Sequence, residues 1–257
     1  MTSARESEAP RRAGVADPVD FPSVPYERAS VYFDDYAAEF SRARKTIEPA
    51  ELERAAAMLI EAYAARARVF SCGNGGSAAI ANHLQCDHVK NIRTATDLCP
   101  SVVSLSTNVE LLTAIANDLG YENSFVYQLQ SEARPGDLLI AVSSSGRSPN
   151  IVRALTWAKE QDLRTIAITG FNGGPARELA DAAVHVDCRN YGIVEDLHQS
   201  IMHALAQFIR QSRMTADTIS ATVFLAAHVV RNSPVRHGRS ALECFWREAR
   251  NRLCVSR

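Results

Sequence analysis

The sequence lacks an excess of charge of either sign. Its 257 residues include 28 basic and 29 acidic side chains, which give a formal net charge of −1. That balance argues against nucleic acid or an anionic membrane as a partner, so any binding of an anion has to be local. No segment approaches the roughly 20 apolar residues that a helix needs to cross a bilayer. We therefore expect a globular protein with no nucleic-acid and no membrane partner.

Paired cysteines and a secretory signal are also missing. The six cysteines are scattered without a CxxC pair, and the first residues have no apolar core of the signal type. Disulfide frameworks and export both leave such marks on a sequence. We therefore expect the protein in the reducing cytoplasm.

Short apolar runs alternate with helical patterns through the middle of the chain. The runs ARVFSC, SVVSL, DLLIAV, RTIAITG and AAVHVDC each precede a segment whose apolar residues have helical spacing. This alternation predicts an α/β fold, in which helices cover both faces of a parallel sheet and ligands bind at the carboxyl ends of the strands.

The pattern divides the chain into three parts. Residues 1–25 show neither helical nor strand period, which predicts a flexible N-terminal tail. Residues 26–213 hold two amphipathic helices, broken near Pro49, and then the alternating region. Residues 214–257 add two more helical patterns and form a predicted C-terminal helical extension.

Two turns with the features of an anion site follow the first and third apolar runs. The first, CGNGGS at residues 72–77, precedes an alanine-rich helical pattern, and the amides that begin a helix are free to hold an anion. The second, SSSGRS at residues 143–148, places four hydroxyls around one turn. Helix capping explains one of them, Ser148, which precedes Pro149. Together the turns predict one phosphorylated ligand.

Histidine and carboxylate side chains share a face of the helix that follows the first turn. His83 and Asp87 are four residues apart, so they can hold one divalent cation or form an ordinary hydrogen bond. Asp87 with His88 is a competing pair, although His88 lies about 100° away around the helix axis.

A second group lies on the last helix of the alternating region. Glu195 and His203 are eight residues apart and about 80° around the axis, so they converge only on a ligand between them. Gln199 and Asp196 are alternative neighbours of His203. Spacing alone leaves the members of a metal site open.

Four ordered motifs, GNGGSAAIANH, STNVELLTAIANDLGY, SSSGRSPN and EDLHQSIMH, resemble the sugar isomerase (SIS) domain and, within it, the phosphoheptose isomerases. The resemblance runs from about Tyr32 to Gln211. It implies a three-layer αβα sandwich with a five-stranded parallel sheet, a homotetramer with active sites at subunit interfaces, and isomerisation of sedoheptulose 7-phosphate to D-glycero-D-manno-heptose 7-phosphate.

The resemblance also implies which residues bind the substrate. Those for the phosphate are Ser77, Ser143, Ser144, Ser145 and Ser148, and those for the sugar are Asn74, Asn108, Asn117 and Asp118. Asn108 stands where the family usually has Asp, and its amide can still form a hydrogen bond to a sugar hydroxyl.

A zinc site and a catalytic pair follow from the same resemblance. The metal positions of the family fall on His83, Asp87, Glu195 and His203, where Asp87 replaces Glu and Glu195 replaces Gln. Two imidazoles and two carboxylates suit zinc and would tolerate iron, manganese or nickel. The implied base is Asp87 and the implied acid is His203, with Glu195 as the substitute base.

The sequence thus predicts a metal-dependent aldose–ketose isomerase of a sugar phosphate that acts through an enediol. The alternative is a non-catalytic SIS module, a sensor or scaffold that binds a sugar phosphate. Candidate ligands at all four metal positions favour the enzyme, because binding alone does not need them.

Overall fold

The computed structural model describes residues 21–221, and its centre is a parallel sheet of five strands. The strands are β1 (Arg68–Gly73), β2 (Ser101–Ser104), β3 (Leu138–Ser143), β4 (Arg164–Thr169) and β5 (Ala182–His185). Their order across the sheet is β2-β1-β3-β4-β5. Each of the five apolar runs forms one strand, so the predicted parallel sheet is confirmed.

The order of the strands places a crevice between β1 and β3. These strands are hydrogen-bonded neighbours, with Val69 beside Leu138 and Gly73 beside Val142. From β1 the chain crosses to β2 on one side, whereas from β3 it crosses to β4 on the other. Such a reversal of direction leaves a crevice at the carboxyl ends of the two strands, where ligands bind in open α/β sheets.

The helices connect and cover the strands. They are α1 (Ala29–Arg44), α2 (Pro49–Ala64), α3 (Gly76–Cys86), α4 (Val109–Leu119), α5 (Val126–Glu132), α6 (Pro149–Glu160), α7 (Gly174–Leu179), α8 (Tyr191–Gln211) and α9 (Ala216–Ala221). A π-helical segment, Asp87–Ile92, continues α3, and a 3₁₀ turn, Tyr121–Asn123, follows α4. The sequence predicted neither of these two segments, nor α5.

Side chains on the two faces of the sheet alternate between two hydrophobic clusters. Val69 and Ile140 belong to the cluster that includes α2, α3 and α8, whereas Phe70 and Ala141 belong to the one that includes α5 and α6. Burial of one large aliphatic side chain contributes about 1.5–3 kcal/mol to stability. Both faces of the sheet are therefore covered, and the predicted three-layer αβα sandwich is confirmed.

Between Met214 and Thr215 the chain divides into two compact units. In the second unit, α9 begins with the Thr215 hydroxyl accepting the amide of Thr218 at 3.2 Å. Residues 1–20 of the predicted tail and 222–257 of the predicted extension lie outside the described residues. Phe21, also assigned to the tail, packs its ring against Tyr32 with centroids 5.2 Å apart. None of the helices within residues 21–221 is long and apolar enough to cross a membrane.

A buried polar contact with α2 anchors the π-helical segment. His88 is fully buried, its Nδ1 is hydrogen-bonded to the hydroxyl of Tyr63 on α2, and its Nε2 has no partner within residues 21–221. Burial lowers the pKa of His88 to about 3, so the ring is neutral at physiological pH.

Tyr63→Phe should lower the free energy of unfolding by about 1–3 kcal/mol, because it leaves both ring nitrogens of His88 buried without a partner. Urea unfolding monitored by circular dichroism measures this change. Tyr127→Phe, at a tyrosine that is 47% exposed, is the matched control and should change stability by less than about 0.5 kcal/mol. Equal stability of the two variants would contradict an anchoring role for Tyr63.

Candidate active site

A cavity of about 290 Å³ lies at the carboxyl ends of β1 and β3, beside the start of α8. Both predicted anion-binding turns line it. The lining residues are Asn74, Gly75, Gly76, Ser77, Val142, Ser143, Ser144, Ser145, Ser148, Tyr191 and Glu195. The pairing of β1 with β3 thus brings two turns that are about 70 residues apart in the sequence into one cavity.

The serine turn is held in place by close backbone contacts. Gly146 has a left-handed φ of +62°, and a Cβ atom there would overlap the carbonyl of Gly173. The amide of Ala176 donates to the Gly146 carbonyl at 3.1 Å, and that of Gly170 donates to the Ser144 carbonyl at 3.0 Å. The loop before α7 and the first turn of α7 therefore fix the backbone of this turn.

The hydroxyls of the serine turn differ in their hydrogen bonding. Ser143 Oγ accepts the amide of Gly146 at 3.1 Å, and Ser145 Oγ accepts that of Arg147 at 3.3 Å. The Ser144 hydroxyl is buried and has no partner within residues 21–221. A buried hydroxyl without a partner costs stability unless a ligand satisfies it.

Asn74, in the glycine turn, is oriented by its neighbours. Its Oδ1 accepts hydrogen bonds from the Tyr121 hydroxyl and from Asn150 Nδ2, each at 2.9 Å, and its Nδ2 donates to Asn150 Oδ1 at 2.9 Å. The side chain therefore enters the cavity with both polar atoms already hydrogen-bonded. Tyr121 and Asn150 had not been singled out in the sequence.

Farther along α3 and α8, and at the start of the π-helical segment that continues α3, two imidazoles and a carboxylate converge. Potential ligand atoms of His83, Asp87 and His203 all lie within 4.8 Å of one another. Asp87 Oδ1 is 3.5 Å from His83 Nε2, and Asp87 Oδ2 is 3.6 Å from His203 Nε2. The imidazole rings meet edge to face, with centroids 4.9 Å apart. This grouping offers three of the four predicted metal ligands.

Two amide side chains complete the surroundings of this cluster. Asn91 Nδ2 donates to Asp87 Oδ1 at 3.0 Å and so orients the carboxylate. Gln199 Nε2 lies 3.1 Å from both His83 Nδ1 and His203 Nε2. Gln199 precedes His203 by one helical turn, and this spacing is the sequence signal that nominates it.

Glu195 lies outside the cluster. Its carboxylate lines the cavity at the glycine turn, where a Cβ atom on Gly76 would overlap it. Burial raises the pKa of Glu195, and the charge of Asp196 adds to the rise. The structure thus places one of the four predicted metal ligands with the serines instead.

Three predicted sugar contacts lie away from the cavity. Asn108 caps α4, its Oδ1 accepting the amide of Leu111 at 2.9 Å. Asn117 and Asp118 are exposed near the end of α4, and Asn117 Nδ2 donates to Asp118 Oδ1 at 2.7 Å. Conversely, Tyr191 lines the cavity from the first residue of α8 without having been predicted.

The chain matches the SIS domain over residues 31–170, more than half of its length. It is 35% identical over 176 residues to a phosphoheptose isomerase of Nitratidesulfovibrio vulgaris, with 67% of this chain and 84% of the relative covered. A phosphoheptose isomerase of Mycobacterium tuberculosis is 39% identical over 155 residues, with 60% of this chain and 78% of the relative covered.

A solved structure has the same fold. Phosphoheptose isomerase from Neisseria gonorrhoeae superposes with a TM-score of 0.65 at 29% identity, covering 72% of this chain and 98% of that one. The sheet order, the two turns and the domain match together define the SIS class. Within that class, the chain belongs to the phosphoheptose isomerase family, whose members are aldose–ketose isomerases.

The packing of the serine turn can be tested by adding a Cβ atom at Gly146. Gly146→Ala should lower the free energy of unfolding by about 3 kcal/mol or more, because a left-handed residue gains a Cβ atom that overlaps Gly173. Gly136→Ala is the matched control, since Gly136 has a φ of +89° with open space around its Cβ position. It should cost only about 1 kcal/mol. Chemical denaturation of both variants measures the difference, and equal losses would refute the packing argument.

Proposed function

We propose that the chain is a metal-dependent isomerase that converts sedoheptulose 7-phosphate to D-glycero-D-manno-heptose 7-phosphate through an enediol. The observation that carries the proposal is the arrangement on α3 and α8. One end of this helix pair lines a cavity rich in hydroxyls, and His83, Asp87 and His203 cluster farther along α8 and along α3 with its π-helical continuation. The first region suits a phosphate and the second suits proton transfer.

The phosphate is assigned to the two turns at the carboxyl ends of β1 and β3. Its proposed ligands are Ser77, Ser143, Ser144, Ser145 and Ser148. Hydroxyls and the amides at the start of a helix are the donors that bind phosphate oxygens. The Ser144 hydroxyl has no partner among residues 21–221, and this supports the assignment, because a phosphate oxygen would satisfy it. Asn74 is proposed to contact the sugar.

A divalent metal is assigned to the cluster on α3 and α8. His83, Asp87 and His203 are proposed as ligands, with zinc as the proposed ion, because two imidazoles and a carboxylate within 4.8 Å are donors that zinc prefers. Glu195 is proposed as the fourth ligand, which requires it to leave its position over Gly76. A bound zinc ion would polarise the substrate carbonyl and stabilise the enediolate.

The proton transfers are assigned to residues of the same cluster. Isomerisation moves a proton between adjacent carbons, and we assign this transfer to the carboxylate of Asp87, which Asn91 holds in one orientation. His203 is proposed to exchange a proton with the sugar oxygens. Glu195 is the substitute base.

We also propose a cytoplasmic homotetramer with active sites at subunit interfaces. Exposed apolar side chains support association, among them Phe33 on α1, which is 69% exposed, and Val109 on α4, which is 63% exposed. Asn108, Asn117 and Asp118 stay proposed sugar contacts. Since they lie outside the cavity of their own chain, such a tetramer would have to bring them to the site of a neighbouring subunit.

The purified protein should convert sedoheptulose 7-phosphate to an aldoheptose phosphate. His203→Ala should lower kcat at least about 10³-fold with unchanged thermal unfolding, because the variant loses an acid and a metal ligand. Ser200→Ala, at an exposed residue of the same helix, should keep full activity. A chelator should abolish turnover, and added zinc should restore it. Binding of the substrate without turnover under any metal would favour the sensor or scaffold instead.

Ser144→Ala should weaken binding of the sugar phosphate at least about tenfold without loss of stability. The variant removes a buried hydroxyl that has no partner within residues 21–221, so folding loses no hydrogen bond there. Ser71→Ala is the matched control, since the buried Ser71 hydroxyl donates to the Ala81 carbonyl at 3.0 Å and lies outside the cavity. It should lose about 1 kcal/mol of stability and keep its affinity. Calorimetric titration and thermal unfolding separate the two effects.

A further inference from the structure

Within the part of the chain that the structure describes, the cavity assigned to phosphate is lined by one carboxylate and by no cation. Among the described residues that line it, Glu195 is the one with a formal charge at neutral pH, and no arginine or lysine contributes to the wall. The other side chains offer hydroxyl, amide or apolar groups. An anion in this cavity therefore meets hydrogen-bond donors and one acid.

Glu195 lies where an anion is attracted. Its carboxylate packs on Gly76, the first residue of α3, so closely that a Cβ atom on Gly76 would be 2.6 Å from Oε1 and still nearer Oε2. The amides of Ala78 and Ala79 bond back to the carbonyls of the turn, whereas those of Gly76 and Ser77 precede the intrahelical ladder. Free amides and the helix dipole favour negative charge at this point.

The carboxylate is held there without specific partners. Within residues 21–221, Glu195 has no hydrogen bond and no salt bridge. The start of α3 attracts this carboxylate through its dipole alone, and no hydrogen bond from the described residues holds it. Another anion can therefore displace it.

We propose that Glu195 is an internal competitor for phosphate: in the substrate-free protein its carboxylate takes up part of the anion subsite, and phosphate binds only once this side chain has turned away. The inference rests on the proposed function, because it takes the cavity as the phosphate subsite. It makes Glu195 a residue that sets the affinity of the metal-free protein for phosphorylated ligands, since a metal that took Glu195 as its fourth ligand would remove the carboxylate from the subsite.

The test is the affinity of the purified chain for inorganic phosphate, measured by isothermal titration calorimetry at constant pH with a chelator present. Glu195→Gln keeps the shape of the side chain and removes its charge, so it should bind phosphate about tenfold more tightly than the unsubstituted protein. Glu195→Ala, which also vacates the space, should shift the affinity in the same direction. Thermal unfolding of each variant confirms that it is folded.

Asp196→Asn is the matched control. It removes the same charge from the adjacent residue, whose carboxylate accepts a hydrogen bond from the Tyr36 hydroxyl at 2.6 Å and does not line the cavity. Its affinity for phosphate should change by less than about twofold, because a more distant exposed charge is screened.

Unchanged or weaker affinity in both Glu195 variants would overturn the inference. An equal gain in Asp196→Asn would overturn it as well, because the effect would then follow net charge and not the position of the carboxylate. Failure of every variant to bind phosphate would also count against it. Turnover of the sugar phosphate by the unsubstituted protein tests the proposed function separately, so the two can fail independently.

Discussion

Hydrogen bonding between β1 and β3 is the contact on which the candidate site depends. Parallel pairing aligns the carboxyl ends of the two strands, and Gly73 and Val142 are paired there. The glycine turn and the serine turn then follow at the same edge of the sheet. A shift of one residue in this register would move the two turns apart and exchange which strand side chains face each hydrophobic cluster.

Contact between α3 and α8 extends the candidate site from the cavity along the axes of these two helices. Each helix has residues at the cavity and residues in the cluster of His83, Asp87 and His203. Because both helices are rigid and share one hydrophobic cluster, the separation between the serine-lined cavity and the group of His83, Asp87 and His203 is set by the rise of the helices. A ligand that contacts both regions must therefore span a distance of about two helical turns.

Sequence patterns were sufficient for the architecture and for the convergence of the two turns. The five apolar runs have strand length and the intervening patterns have helical period, and parallel topology then places the turns at one edge. Sequence patterns could not show where the functional group at the tip of a long side chain lies. Glu195 and Gln199 are four residues apart on one face of α8, and only packing against α3 separates the glutamate at Gly76 from the glutamine between the imidazoles. Likewise, a π-helical segment has no recognisable period over six residues.

The π-helical segment, Asp87–Ile92, contains the equivalent of one extra residue in a helical turn. Because the wider π-helical turn accommodates this residue, deletion of one residue between Asp87 and Asn91 would restore α-helical pitch and leave the glycine turn and His83 in place. Asn91 would then be three residues from Asp87 instead of four and would lose the position from which it donates to the carboxylate. The length of this segment is therefore tied to the orientation of one acid of the cluster, although the segment itself lies on the route to β2.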